Sequence, residues 1–383
     1  MNQNVSELAK NRLVYLDNVR SLVIFLVITI HAAVTYSGIG DWYYKEGALE
    51  NLSLPEQVFF AFSQSFIQSW FMGILFFISA FFAVKALAKR GPFNFIKERL
   101  FRLGLPLLLY IFIISPIINF LILKQLPENS FFSNYILYVT HISWWLDSTG
   151  PMWFVEALLI FCIIYAVIKK CFSGSIKIQN INLKNIVFTI MITAITAFLI
   201  RLAFPIDSEK FFNLQLWYFG SYIVMFTAGV LIGENNLLDK ITDEKNIKWI
   251  KLSLLIGTPI WIFIVVFGGV LDGIYHYQGG FYWQSFAYAL WESLTAIGFS
   301  IGIIALFKKK MNTNNKFSSL ISDNAFGMYF FHPPIIVIVS LLFRYIVLVP
   351  IVKFAVVTVI TYLICFIFTF AVRKIKPIGI LFK

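Results

Sequence analysis

Three ionisable side chains lie inside one apolar stretch of the sequence, residues 14–36, and their spacing points to proton-transfer chemistry. Arg20 and His31 are eleven residues apart. In an α-helix that separation is three turns plus about 20°, so the two side chains share one face about 16 Å apart. Asp17 comes three residues before Arg20 and can pair with it on that face. The stretch therefore carries a cation near one end and an imidazole near the other.

Charged groups of this kind are costly inside a membrane helix and normally face the protein interior, so each is a functional hypothesis by default. The alternative for His31 is a histidine that bonds a neighbouring helix and fixes its packing. Because Asp17, Arg20 and His31 line one stripe, the functional interpretation is favoured.

Glu156 closes the segment Gly-Pro-Met-Trp-Phe-Val-Glu at 150–156, where a later apolar run begins. We expect that run to start at the outer surface, which places Glu156 about one turn below it, near the depth of His31. A carboxylate at that depth would orient the imidazole and stabilise its charged form. The alternative is a glutamate that bonds only a backbone group or a tryptophan.

Arg99 and Arg102 precede another apolar run on the side predicted to be cytoplasmic. Guanidinium groups match phosphate oxygens well, so these two arginines are candidate phosphate ligands. Ordinary cytoplasmic positive charge that contacts lipid phosphates is the alternative.

His332 is followed by Pro333 and Pro334 within an apolar run, and Tyr329 precedes it. Two prolines in mid-membrane predict a kink that frees backbone carbonyls. His332 is then either a bond across that kink, which we favour, or part of a second polar site. Glu292 also lies in an apolar run and is expected to face the interior, with no assigned role.

The elements that must position these residues are transmembrane helices. Apolar residues make up 59% of the 383-residue chain and charged residues 13%, with a mean hydropathy of +0.81, whereas soluble domains carry about a quarter charged residues. Spanning helices need about 20 mostly apolar residues. Ten such runs occur, at 14–36, 59–83, 103–123, 152–168, 186–204, 214–233, 249–270, 281–307, 325–343 and 350–372. We predict an all-α, multi-pass membrane protein.

The distribution of Lys and Arg gives the orientation. Of the 31 basic residues, 24 fall in alternate connections and at the two ends, six fall in the other connections, and Arg20 lies within the first run. Cytoplasmic loops carry the excess of positive charge, so both termini are predicted to be cytoplasmic. The net charge of +12 is thus mostly a topology signal, and its spread over short loops argues against a nucleic-acid partner.

The chain reads as a single domain, residues 1–383, with its helical core at about 12–375. Cys162, Cys171 and Cys365 lack metal-ligand spacing, so no metal is expected. The longest outer connections, 37–58 and 124–151, are rich in aromatic residues. These are either an interfacial aromatic belt or the rim of an outward-facing acceptor site.

Several motifs occur in an order that resembles the acyltransferase 3 family of integral membrane O-acyltransferases. Arg20, ten intervening residues and His31 look like its signature, and Leu16 to Arg20 match its usual opening. The further matches are Phe76 to Ser79, the pair Arg99 and Arg102 before Pro106, Trp153 to Glu156, Phe226 to Gly229, and Phe331 to Pro333. Residues 150–157 and 332–334 look closest to the branch that includes glucan biosynthesis protein C.

This resemblance implies transfer of an acyl group, expected to be acetyl, from cytoplasmic acyl-CoA to a hydroxyl of a carbohydrate or lipid-linked acceptor of the cell envelope. The implied setting is the plasma membrane, with membrane lipids as neighbours. Arg99 and Arg102, with Arg12, would hold the CoA phosphates, and Arg20 would position the thioester. His31 would act as general base or as acyl carrier, and Glu156 would orient it.

Trp153, Ser79, His332 and Asp17 are expected to support this site. Ala80 departs from the family pattern, which often has glycine after the serine, so helix packing at that point is expected to differ.

Two other classes of protein fit the same residues. A proton-coupled secondary transporter would use Arg20, His31 and Glu156 as a proton relay, but transporters often have two related halves with matched broken helices, and no such pair is visible. A non-catalytic membrane scaffold or exporter subunit is the third possibility.

Overall fold

The computed structural model describes residues 13–124, 130–172, 174–313 and 315–382. Its regular secondary structure in that part is helical, apart from one isolated β-bridge between Phe211 and Leu214. Arg12 lies outside the described residues. The all-α prediction is confirmed. The long helices are α1 Val14–Ser37, α2 Leu54–Ile122, α3 Trp153–Cys171, α4 Leu183–Ala203, α5 Phe219–Glu234, α6 Lys248–Phe267, α7 Trp283–Lys310, α8 Lys316–Phe343 and α9 Pro350–Val372.

Within the described ranges, nine helices are long and apolar enough to cross a membrane, and α2 contains two of the ten predicted runs. The helical path of α2 breaks at Gly91, with φ 73° and ψ 164°, directly before Pro92. Only glycine adopts such backbone angles readily. Phe60 and Ile118, near the two ends of α2, pack in the same buried cluster, so the chain returns to the side from which it started. We call residues 54–90 the first limb and 92–122 the second limb.

Helix α1 lies inside the bundle, in contact with α2, α7, α8 and α9. Ile24 and Val27, which lie between Arg20 and His31 on one helix face, are 7% and 2% exposed. The predicted stripe therefore faces protein for most of its length.

The first limb of α2 packs closely against α5. A Cβ atom added at Gly229 of α5 would lie 2.3 Å from the carbonyl oxygen of Phe77 and 2.8 Å from the Cβ of Ala80. Small residues allow this approach, which drives helix association in lipid. Ala80, the residue after Ser79, is fully buried. The family pattern often has glycine at this position; here the glycine that makes room is Gly229, on the opposite helix.

Gly229→Ala is expected to destabilise the protein by about 1–3 kcal/mol, because the new methyl group overlaps backbone atoms of α2. The measurement is thermal unfolding of the detergent-solubilised protein. Gly174→Ala is the control, since a Cβ there meets no atom within 4 Å. Equal midpoints for the two variants would contradict the close contact.

Candidate active site

Two histidines from distant parts of the sequence meet inside the bundle. Nδ1 of His31 on α1 lies 3.0 Å from Nε2 of His332 on α8. The rings are nearly parallel, with centroids 5.0 Å apart, and His332 is fully buried. The structure thus brings His31, a residue of the predicted reaction site, into contact with His332, which the sequence predicted mainly to bond across a kink.

The prolines after His332 explain why its ring is held so firmly. Pro333 has no N–H to donate to the carbonyl of Tyr329, four residues earlier, so that carbonyl is left without its helical partner. Nδ1 of His332 takes its place, 2.6 Å from the Tyr329 oxygen, while α8 stays helical across both prolines. The predicted bond to a freed carbonyl is therefore present.

These contacts fix the tautomers of both rings. A carbonyl only accepts, so Nδ1 of His332 must carry the proton and donate to Tyr329. In neutral His332 the other nitrogen, Nε2, is then an acceptor, and Nδ1 of His31 donates to it. This leaves Nε2 of His31 unprotonated, and no side chain in the described part of the chain bonds it. The ring also has a hydrogen bond to the backbone of Val27, one turn earlier; a carbonyl needs a donor, so in this tautomer that bond involves Nδ1. His31 therefore presents Nε2 as a basic nitrogen that no side chain occupies.

The connection between α1 and α2, which is predicted to lie on the outer side, folds over His31. The Trp42 ring stacks on His31 with centroids 3.9 Å apart and planes 19° from parallel. Tyr43, next in sequence, shares a hydrogen bond of 3.0 Å with Tyr110 in the second limb of α2. One aromatic-rich outer connection thus covers the histidine pair.

Two ion pairs hold this connection in place. Lys210 lies 2.7 Å from Asp41, and Lys353 at the start of α9 pairs with Glu46. Partial burial raises the pKa of Asp41, but the hydrogen bond and charge of Lys210 outweigh it, and the net effect lowers that pKa. The Asp41–Lys210 pair is therefore intact at neutral pH and is lost only as the pH falls through this depressed value.

Arg20 marks the end of the stripe that is predicted to be cytoplasmic. Its side chain is 48% exposed and lies 3.5 Å from Asp17, which is 17% exposed, so the predicted pairing is present. Since Ile24 and Val27 above it are buried, the stripe leads from an accessible guanidinium to the enclosed histidine pair.

Glu156 and Trp153 line the start of α3. No hydrogen bond among the described residues joins Glu156 to either histidine, and its Oε2 atom is buried without a partner. His332, rather than Glu156, contacts Nδ1 of His31. The role of Glu156 stays a prediction. Trp153 stacks on Tyr222 of α5. The hydroxyl of Tyr329 donates to the carbonyl of Pro151, which ties α8 to this end of α3.

Arg99 and Arg102, which are predicted to be cytoplasmic, differ in their surroundings. Arg102, in a π-helical turn, is paired with Glu98 at 3.2 Å, and Glu98 also pairs with Arg90. The Arg99 guanidinium lies 4.9 Å from the centre of the Phe95 ring, and its buried Nε has no partner. Arg99 therefore has a buried donor without a partner, whereas Arg102 shares its charge with Glu98. Ser79 lies half-buried deeper in α2, without a hydrogen bond in the described residues.

A second polar cluster was missed from the sequence. Arg201, at the end of α4, lies 2.6 Å from Glu292 of α7, and the two side chains are 1% and 5% exposed. Arg201 also donates to the carbonyl of Trp217. The sequence placed Arg201 among the outer charges and gave Glu292 no role. Opposite charges in two apolar runs were the available signal, since buried charges are normally paired.

The family model described as an acyltransferase domain matches residues 13–370 of this chain. The chain therefore belongs to the acyltransferase 3 family, and it is a multi-pass membrane acyltransferase. No curated protein and no solved structure matches it. The resemblance to the branch of glucan biosynthesis protein C stays a prediction.

His332→Ala is expected to lower turnover by about 10²-fold, a typical contribution of an organised general base. His332→Gln should keep more activity, because its amide oxygen can still accept from Nδ1 of His31. The pH profile of kcat/KM distinguishes positioning from packing: its acidic limb should move in His332→Ala.

His141→Ala is the control, since His141 is exposed and contacts neither His31 nor His332 through its ring. If both His332 variants keep the turnover and pH profile of the wild type, His332 does not position His31 for proton transfer.

Proposed function

We propose that this protein is an O-acyltransferase that moves an acyl group, with acetyl expected, from cytoplasmic acyl-CoA to a hydroxyl of a carbohydrate or other cell-envelope acceptor at the plasma membrane. The observation that carries the proposal is the His31–His332 pair, which leaves one basic nitrogen free at the enclosed end of a stripe that begins at Arg20. Membership of the acyltransferase family supplies the reaction class.

The free nitrogen of His31 supports two routes. As general base, Nε2 takes the proton of the acceptor hydroxyl while the hydroxyl oxygen attacks the thioester carbonyl carbon. The carbon–sulfur bond then breaks, and the CoA thiolate receives the proton. As acyl carrier, Nε2 itself attacks the thioester and passes the acyl group to the hydroxyl in a second step. Both routes need Nε2 unprotonated.

The donor is proposed to bind from the cytoplasmic side. Arg99 would contact the CoA phosphates most directly, because its Nε has no other partner; Arg102 would have to share its charge with Glu98, and Arg12 is proposed as a further contact. The exposed Arg20 would receive the thioester end, and the pantetheine arm would pass along the stripe toward His31.

The acceptor is proposed to approach from the outer side. The aromatic connection that carries Trp42 and Tyr43 lies over the histidine pair there, and aromatic faces suit sugar rings. Its position above a basic nitrogen supports the rim interpretation of this segment over a simple interfacial belt. Membrane lipids would surround the helices, and no nucleic acid or metal enters the proposed reaction.

His31→Ala is expected to abolish acyl transfer while the protein still inserts into the membrane, because both routes use Nε2. A deletion strain complemented with wild type or His31→Ala is compared by mass spectrometry of its surface glycans. An acyl mass that is present only with wild type identifies the acceptor and supports the proposal.

Normal acylation by His31→Ala would reject the proposal. Solute flux through vesicles without any acyl donor would favour the transporter instead. Labelled acyl-CoA supplied without acceptor separates the two routes: label retained on the protein indicates the acyl carrier, and its absence indicates the base.

Arg99→Ala is expected to raise the KM for acyl-CoA by about tenfold, the equivalent of one charge-assisted hydrogen bond of roughly 1.5 kcal/mol, with a smaller effect on kcat. Lys97→Ala removes an exposed charge two residues away and serves as the control. Equal KM values for the two variants would argue against Arg99 as a phosphate ligand.

A further inference from the structure

Trp42 stacks on His31 and also carries an unpaired indole N–H, which a residue that only covered His31 would not need. Its ring lies against the imidazole face at 3.9 Å between centroids, and its indole Nε1 is buried without a hydrogen-bond partner. Buried donors are almost always paired, and an unpaired one costs about 1–3 kcal/mol. An unpaired N–H on a ring that lies against His31 is suited to a group that arrives during the reaction.

We propose that the indole N–H of Trp42 donates a hydrogen bond to the carbonyl oxygen of the acyl group as that oxygen becomes negatively charged. This inference rests on the acyl transfer proposed above and assigns a further catalytic residue to it.

The stacking geometry permits this role. The ring centroids of Trp42 and His31 are 3.9 Å apart, so both rings border the same space, and groups on two such rings can each lie about 3 Å from one reacting carbonyl. Trp42 and His31 can therefore serve the same carbonyl group from two sides.

The electron flow is complete with these two residues. When the nucleophile oxygen bonds the carbonyl carbon, its proton goes to Nε2 of His31 and the π pair moves to the carbonyl oxygen, which the Trp42 N–H stabilises. Collapse of this intermediate restores the C=O bond, breaks the carbon–sulfur bond and returns the proton to the thiolate.

The neighbours of Trp42 make the donor rigid. Asp41 before it is held by Lys210, and Tyr43 after it is held by Tyr110. A donor fixed in advance costs no reorganisation when charge develops, which is why oxyanion donors act strongly in enclosed sites.

The test separates the N–H group from the aromatic face. Trp42 is replaced by 3-benzothienylalanine, which keeps the bicyclic ring and has sulfur in place of N–H, and separately by Phe. Proteoliposomes containing each full-length variant receive labelled acetyl-CoA, with surface glycan from the deletion strain as acceptor. We expect both variants to lose about 10²-fold in kcat, with the KM for acetyl-CoA changed less than about twofold. Trp144→Phe is the control, because Trp144 is 41% exposed in another outer connection.

Wild-type kcat in the benzothienyl variant would overturn the inference, and so would a loss that appears only as a higher KM. If wild-type protein itself transfers no label, the proposed function fails before Trp42 is tested. A thermal midpoint equal to that of wild type shows that a low kcat in the benzothienyl variant is not a folding defect.

Discussion

The hydrogen bond between His31 and His332 is the contact on which the geometry of the site depends. It joins α1 to α8 at one fixed depth, so the apolar packing of both helices must agree with a donor–acceptor distance of 3.0 Å. Hydrophobic packing alone tolerates small shifts along a helix, whereas a buried polar pair does not, because a broken bond leaves two unsatisfied groups in an apolar interior. The bond therefore sets the register of α1 against α8.

The same reasoning explains the prolines of α8. In lipid, every backbone carbonyl needs a partner within the protein. Pro333 removes the helical partner of the Tyr329 carbonyl, and the His332 side chain supplies a replacement. This one side-chain hydrogen bond satisfies the Tyr329 carbonyl and also fixes the tautomer of His332. Arg201 and Glu292 solve the corresponding problem for full charges elsewhere in the bundle, where neither ion would be tolerated alone.

Helical periodicity predicted the spans and the stripe from Arg20 to His31, because both depend on neighbours along one helix. The His31–His332 contact lies beyond that reasoning, since 301 residues separate its members and no local pattern reports which helices touch. For residues 37–58, which include Trp42, the sequence predicted only an aromatic-rich connection, because an irregular segment has no period from which a side-chain direction can be inferred. Depth alone suggested Glu156 as the partner of His31, and equal depth on two helices does not report whether their side chains touch.

The burial gradient along α1 bears on where acyl transfer can take place. Arg20 is accessible, whereas Ile24 and Val27 are buried, so a phosphorylated nucleotide would pay a large desolvation cost to move beyond the level of Arg20. The acyl group of CoA is attached to a flexible, uncharged arm, which can enter the bundle without that desolvation cost. A site near the outer half of the helix can therefore be served by a donor whose charges stay at the cytoplasmic face. In the proposed reaction, the cover of Trp42 over His31 would limit water there and so favour transfer to an acceptor hydroxyl over hydrolysis of the thioester.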